Sequence, residues 1–277
     1  MAHALQDRYS KLVDAKMRAT LVTRNNLIFN TRYEGSPKAG AVKIPVRDTE
    51  VTARAYDKAS GLALQTGTTT YLNLPINKDY AVNELIDGYD AAAVPDGIVA
   101  ERLDSAGYSL ASQLDADAIA ELKASGTTLS TTTALTAATV YKQFVAMRTQ
   151  LSKSNIPADR RWALVSPDVV ALLLEDTTYF VRASQLGDNV VQSGAIGRIA
   201  GFTVYECNTL GATTEIIAGH PDWCHRVNEW MVDVHVQDLA GSGTYIGASA
   251  IQGRQVYGHK VSKAAAVLIK GTAASGG

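Results

Sequence analysis

The chain has 277 residues, of which 46% are hydrophobic, and a formal net charge of -1. That length and composition supply a core for one large or two modest domains without covalent staples. The near-neutral balance argues against a dedicated nucleic-acid binder, which carries a strong basic excess or stripe, and the two cysteines, Cys207 and Cys224, read as free thiols, not a disulfide framework.

Residues 4 to 24 predict a moderately amphipathic helix, with Leu5, Tyr9, Leu12, Met17 and Leu21 spaced by helical turns, ending near Asn25 and Asn26. Charge interrupts its apolar residues, so it lacks the continuous segment of a secretory signal. The chain holds no 18-residue apolar run, and no membrane span is expected. Residues 1 to 38 carry seven basic side chains against three acids. A solvated helix face and contact with a polyanion both account for that surplus.

From Tyr33 to Ile76 the pattern changes to β. In AVKIPVR, Val42, Ile44 and Val46 alternate with Lys43, Pro45 and Arg47; TEVTARAY continues the alternation; DKASG reads as a turn; and TTTYLNLPI returns with Leu72, Leu74 and Ile76 on one face. Pro45 and Pro75 belong on edges, because proline cannot donate to a ladder. A two-stranded ribbon is marginally stable alone and has no second layer. It needs a surface from its own body or from a neighbouring copy, and we expect the neighbour to supply it.

A long helix follows, from about Pro95 to Ser125, on the order of 45 Å. Val99, Leu103, Ala106, Leu110 and Leu114 form one stripe, with Glu101, Asp104, Ser105, Ser112 and Asp115 on the other side. SGTTLSTTTALT then links to a second lobe. This opens with a helix over Ala137 to Leu151, the short buried strand RWALV, and a helix capped by Ser166 with Pro167 in its first turn. Further on, EWMVDVHVQ places Trp230, Val232, Val234 and Val236 in alternation with Met231, Asp233, His235 and Gln237.

The glycines of GAIGRIAG, at 194, 197 and 201, lack the dinucleotide-fingerprint spacing, and no Walker lysine follows. They also precede a strand, the wrong order for a helix N-terminus to receive phosphate. A structural turn that permits close backbone approach is the better reading, with Gly197 and Gly201 supplying the freedom. No Gly-x-Ser-x-Gly elbow is present, since GYSLA at Gly107 and GASAI at Gly247 lack the closing glycine. HPDWCH, with His220, Cys224 and His225, is the most metal-like cluster. It lacks paired C-x-x-C or H-E-x-x-H spacing and reads as a loop with incidental ligand types.

The ordered set of elements resembles the major capsid proteins of tailed phages, the Hong Kong 97-type fold of α+β class. The elements are an N-terminal arm, a long hairpin, YAVNELIDGYDAA, a long helix, then VSPDVVALLLED, TTYFVR, GRIAGFTVYECNTL, TEIIAGHPDW and HKVSKAAAVLIKG. No single motif is specific; the succession across nearly the whole chain carries the resemblance. It implies an N-terminal arm over 1–32, an extended loop over 33–76 and a peripheral domain with its spine helix over 77–133. An axial domain over 134–250 and a return strand and tail over 251–277 complete the division. GRIAGFTVYECNTL becomes the axial-domain turn that delivers a core strand, with Phe202, Val204 and Tyr205 entering the core.

What the resemblance implies about function is mechanical: copies form pentamers and hexamers of an icosahedral shell enclosing double-stranded DNA, assembled in the host cytoplasm, with neither catalysis nor a cofactor. Implied partners are a portal, a separate scaffolding or decoration protein, and DNA held non-specifically. Exposure and charge nominate Lys43, Arg47, Arg54, Tyr56 and Lys58 on the arm, and Glu101 and Arg102 on the spine helix, as inter-subunit contacts. Arg8, Lys11 and Lys16 are the candidates for inner-surface contact with DNA. Some relatives form a lysine–asparagine cross-link, but nothing in the sequence identifies the asparagine or the assisting acid. The alternatives are an encapsulin-type nanocompartment shell, which shares the fold, and an α+β hydrolase, which the missing motifs disfavour.

Overall fold

The computed structural model describes residues 17–23, 27–33, 40–47, 50–89, 98–129, 134–176, 197–241 and 243–272. Two strands, β1 (Ala41–Arg47) and β2 (Thr69–Pro75), pair antiparallel as a separate ribbon, with Ala41 opposite Pro75 and Arg47 opposite Thr69. Both strands are edges of this two-stranded sheet, which is where Pro45 and Pro75 do least harm.

Strand β3 (Lys78–Asp87) is followed by helix α1 (Ile98–Ser125), the two-residue strand β4 (Thr127–Thr128), helix α2 (Ala137–Lys153), strand β5 (Trp162–Val165) and helix α3 (Pro167–Glu175). Ser166 accepts a hydrogen bond from the Val169 N–H at the start of α3, and Pro167 occupies the first turn, as the sequence signal requires. Strands β6 (Arg198–Ile199), β7 (Phe202–Glu206), β8 (Thr214–Gly219), β9 (Cys224–Asp238), β10 (Ala248–Val261) and β11 (Val267–Gly271) follow among the described residues.

Strands β4, β11, β8, β5, β7 and β6 form a six-stranded mixed sheet in that order. Alternation along β5 shows why it is a central strand. Ala163 and Val165 face a core with Val140, Phe144, Met147 and Leu173 of α2 and α3, while Trp162 and Leu164 face a second core with Ala118, Ile119 and Leu122 of α1. Both faces are thus covered, and the four residues of β5 are all buried. Between β6 and β7 the chain reverses at Ala200 and Gly201, with φ of 48° and 90°. The conformational freedom is used at this pair, and it sends Phe202 and Val204 into the α2 side while Tyr205 packs against the α1 side.

The second sheet has three strands, β3, β10 and β9 in order, all antiparallel. The first half of α1 covers one face through Val99, Leu103 and Ala106, which meet Val82, Ile86, Val234 and Ile251. Helix α1 therefore serves both sheets, its first half on the three-stranded one and its last turns on the six-stranded one. Strand pairing does not divide at residue 250: β10 runs unbroken across that position, β9 pairs with it, and β11 joins the six-stranded sheet.

Three expectations are corrected. Residues 17–23 are an extended strap, not a helix end, because their hydrogen bonds run to α1 and β9; residues 4–16 lie outside the described residues. The alternation expected over TEVTARAY gives no strand at Val51–Tyr56. The alternation of Trp230, Val232, Val234 and Val236 expected over EWMVDVHVQ is not kept through β9, since register shifts opposite Gly253 and between Val256 and Tyr257 interrupt the ladder. A bulge adds an unpaired residue and re-aims the side chains beyond it; Val234 packs toward α1 against Leu103, while Trp230 lies under the Arg254 guanidinium, which also pairs with Asp79.

Candidate functional site

The ribbon is built from its own alternation. Ile44, Leu74 and Ile76 are buried with Val227 of β9, and Val42, Val46, Leu72 and Val256 pack against them. Its base therefore finds a roof on the same polypeptide, which corrects the expectation that the whole ribbon must be covered by a neighbour. Close approach is possible because Gly258 of β10 presents no side chain to Pro75.

Beyond Arg47 and Thr69 the described residues of the ribbon form no further ladder, only the isolated bridge between Asp57 and Gly61. The Gln65 side-chain amide replaces backbone pairing, donating to the Thr52 carbonyl at 2.8 Å and accepting from the Thr52 N–H at 3.2 Å. Satisfied by a side chain, the backbone at Thr52 has no need of a strand partner. At the tip, Asp57 organises the turn: its carboxylate accepts from the Ala59 N–H and the Ser60 hydroxyl, and its carbonyl accepts from the Gly61 N–H. The Ser60 hydroxyl bond, then the Ala59 N–H, hold this carboxyl below the usual carboxylate range.

This organised tip carries exposed apolar side chains. Leu64 is fully exposed (100%), and Val51, Tyr56, Leu62 and Tyr71 are each about half exposed or more. Burying a leucine of that kind contributes about 1.5–3 kcal/mol, and the described residues of the subunit leave this apolar surface uncovered. Lys43, Arg47, Arg54, Tyr56 and Lys58 are all exposed along the same ribbon. Arg47, Glu50, Arg54 and Leu64 border a hollow of about 390 Å³.

The spine-helix candidates lie elsewhere. Arg102 pairs with Glu84 of β3 at 2.9 Å, which ties the helix to its own sheet, and Glu101 beside it is partly buried. Arg8, Lys11 and Lys16 lie outside the described residues. The side chains of HPDWCH serve the fold: His220 Nδ1 accepts from the Asp222 N–H, Asp222 pairs with Arg32 and Arg160, and His225 Nδ1 lies 3.0 Å from Asn30 Oδ1. Burial lowers the pKa of His225 to about 4 and pushes the Cys224 thiol up. Asp115, placed by periodicity on the side of the spine helix away from its apolar stripe, is 1% exposed and accepts from Thr23 of the strap. Arg226 beneath it is buried too, and no periodic signal marked either residue; the one hint is a charged residue inside the apolar-flanked stretch CHRVN.

Residues 84–268 match a family model described as phage capsid protein. No curated protein sequence is matched. Among solved structures, a chain from Mycobacterium phage Che8 is 21% identical with a TM-score of 0.78, covering 96% of each chain. The capsid structure of the cyanophage P-SCSP1u is 13% identical with a TM-score of 0.82, covering 98% of this chain and 93% of that one. A chain from Gordonia phage Cozz gives 14% and 0.76, covering 98% and 92%. At such identities the structural likeness establishes the fold, which is of the Hong Kong 97 type. The family match runs from the end of β3 through the spine helix to the first two residues of the last strand, and the chain belongs to the phage capsid protein family: it is a major capsid protein, a structural subunit of the virion shell.

Proposed function

We propose that copies of this chain close an icosahedral shell of pentamers and hexamers around the double-stranded DNA of a tailed phage, each ribbon lying over the neighbouring subunit. The observation that carries this reading is the ribbon's asymmetry: its base is anchored on its own sheet by Val227 and Val256, while its tip exposes Leu64, Tyr56, Val51 and Leu62. An anchored arm with an apolar end is positioned to bury that end on another molecule. Each contact is modest, and a subunit held by several neighbours is retained far more strongly than by any one of them.

In this reading Lys43, Arg47, Arg54, Tyr56 and Lys58 frame the arm contact, and Glu101 and Arg102 contribute from the spine helix. The six-stranded sheet forms the axial domain, and α1 with the three-stranded sheet the peripheral one. Assembly takes place in the host cytoplasm, with a portal and a scaffolding or decoration protein as partners. Arg8, Lys11 and Lys16 face the DNA. A net charge of -1 suits a container that does not cling to its contents, because each neutralised phosphate adds salt-dependent affinity.

Negative-stain microscopy of the purified protein, alone and with a scaffolding partner, tests the proposal. Uniform shells are expected from the wild type, and a folded but unassembled protein from Leu64→Asp. A wild-type monomer under both conditions would overturn the shell reading. Normal shells from Leu64→Asp would overturn only the role of the ribbon tip.

A further inference from the structure

We infer that the strap Met17–Thr23 is a latch whose Thr23 wedges apart a buried arginine–carboxylate pair, and that the latch opens by letting Arg226 close directly on Asp115. The Thr23 N–H and hydroxyl both donate to Asp115 Oδ1, at 2.6 Å each. From the other side, Arg226 Nη1 donates to the Thr23 carbonyl at 3.1 Å and Nη2 to the Thr23 hydroxyl at 3.0 Å. One hydroxyl oxygen thus stands between the guanidinium and the carboxylate.

While the strap is docked, neither ion is hydrogen-bonded to the other: Thr23 takes the place of each as the other's partner. Asp115 Oδ2 is buried and has no hydrogen-bond partner among the described residues. Arg226 is buried between the Phe29 ring and His259, and its remaining bond, from Nε, goes to the neutral His259 Nε2. A buried ion bonded only to neutral groups is unfavourable, and a guanidinium and a carboxylate satisfy each other best in a two-point contact. The partner each ion lacks is the other. Release of the strap therefore creates a strong new interaction that offsets the bonds it breaks, which is what a two-state element requires.

The strap also has the construction of a latch. Its root is fixed: Ile28 and Phe29 are in the core, and Asn30 exchanges backbone bonds with Cys224 and Arg226. Its outer part is lightly held, by Arg18 to Asp104 at 2.6 Å on the surface and by the Tyr108 hydroxyl to the Ala19 carbonyl. Between them, Val22 and Thr23 are the buried residues that hold the strap down.

Hydrogen exchange of the strap amides, compared among variants in the same assembly state, tests the wedge. In Asp115→Asn the amides of residues 18–23 are expected to exchange no faster than in the wild type, because the released state has lost its ion pair. If Asp115 is only an anchor, they exchange at least tenfold faster and the inference is overturned. In Thr23→Val the strap is expected to exchange at least tenfold faster while α1 and β9 keep their protection, and an Asp115–Arg226 double-mutant cycle shows a larger coupling than in the wild-type background. A strap that stays protected in Thr23→Val, or α1 and β9 loosening along with it, overturns the inference as well.

Discussion

Gly258 of β10 and Pro75 of β2 are in backbone contact so close that a Cβ on Gly258 would stand 2.2 Å from the Pro75 carbonyl oxygen and 3.1 Å from Leu74 Cδ2. Backbone cannot yield there as a flexible side chain could. Gly258→Ala is expected to lift the base of the ribbon off β9 and β10, exposing Ile44 and Leu74, which are otherwise 2% and 0% exposed. Trypsin cleavage after Lys43 and Arg47 should accelerate at least severalfold in the unassembled protein, with the six-stranded sheet still folded, and shell yield should fall. Unchanged cleavage would mean that the ribbon base can shift without loss.

Phe144 of α2 and Phe202 of β7 meet with ring centroids 6.3 Å apart, and both are fully buried on one face of the six-stranded sheet. Phe144→Ala removes a ring from a close-packed site and is expected to destabilise the subunit by about 3–5 kcal/mol. Denaturant unfolding followed by tryptophan fluorescence checks this, since Trp162 lies in the same sheet. Phe144→Leu, which keeps much of the volume, should lose less than half as much.

The ribbon, the long helix and the helix opening at Ser166 were legible because each is specified locally, by alternation, by a helical stripe or by a cap. The division of labour along α1 was not, because a stripe tells which face is apolar and not which sheet covers it. Asp115 falls on the polar side by spacing, yet the strap covers it there, a contact 92 residues distant in sequence. Strand β9 misled for a different reason: regular alternation of valines assumes an unbroken ladder, and the register shifts opposite β10 turn successive pairs to different sides. The ribbon's two kinds of environment were hidden as well, since nothing in Leu72 or Leu64 tells which one Val227 reaches.

A surface cation can be separated from a structural one at Arg32. It pairs with Asp222, which also receives Arg160 at 3.0 Å, and all three positions are at least partly exposed. Screened pairs of this kind contribute about 0–1 kcal/mol. Arg32→Ala is expected to shift the melting temperature by no more than about 3 °C, whereas Arg226→Ala, which strips a buried network, should lower it several times as far. Similar shifts from both variants, measured by thermal scanning, would contradict the assignment of Arg226 as the buried partner.

Acid should unfold this subunit through its histidines before its carboxylates. Burial is the largest cause holding His225 down to about 4 and His259 down to about 3, with Arg32 and Arg226 adding to the effect at each. Unfolded, both titrate near the ordinary histidine value of about 6.5. Between those limits the unfolded chain binds protons that the folded one refuses, so the stability associated with neutral His225 and His259 is fully present above about pH 6.5 and is lost progressively as pH falls toward 4. Each group contributes a slope of up to about 1.4 kcal/mol per pH unit, and the two together steepen the loss between pH 6 and 5, where ordinary carboxylates are still ionised. Guanidinium unfolding at half-unit steps should show this slope in the wild type and a flatter one in His225→Gln with His259→Gln. Equal slopes in the two proteins would show that the buried histidines are not the groups that take up the protons.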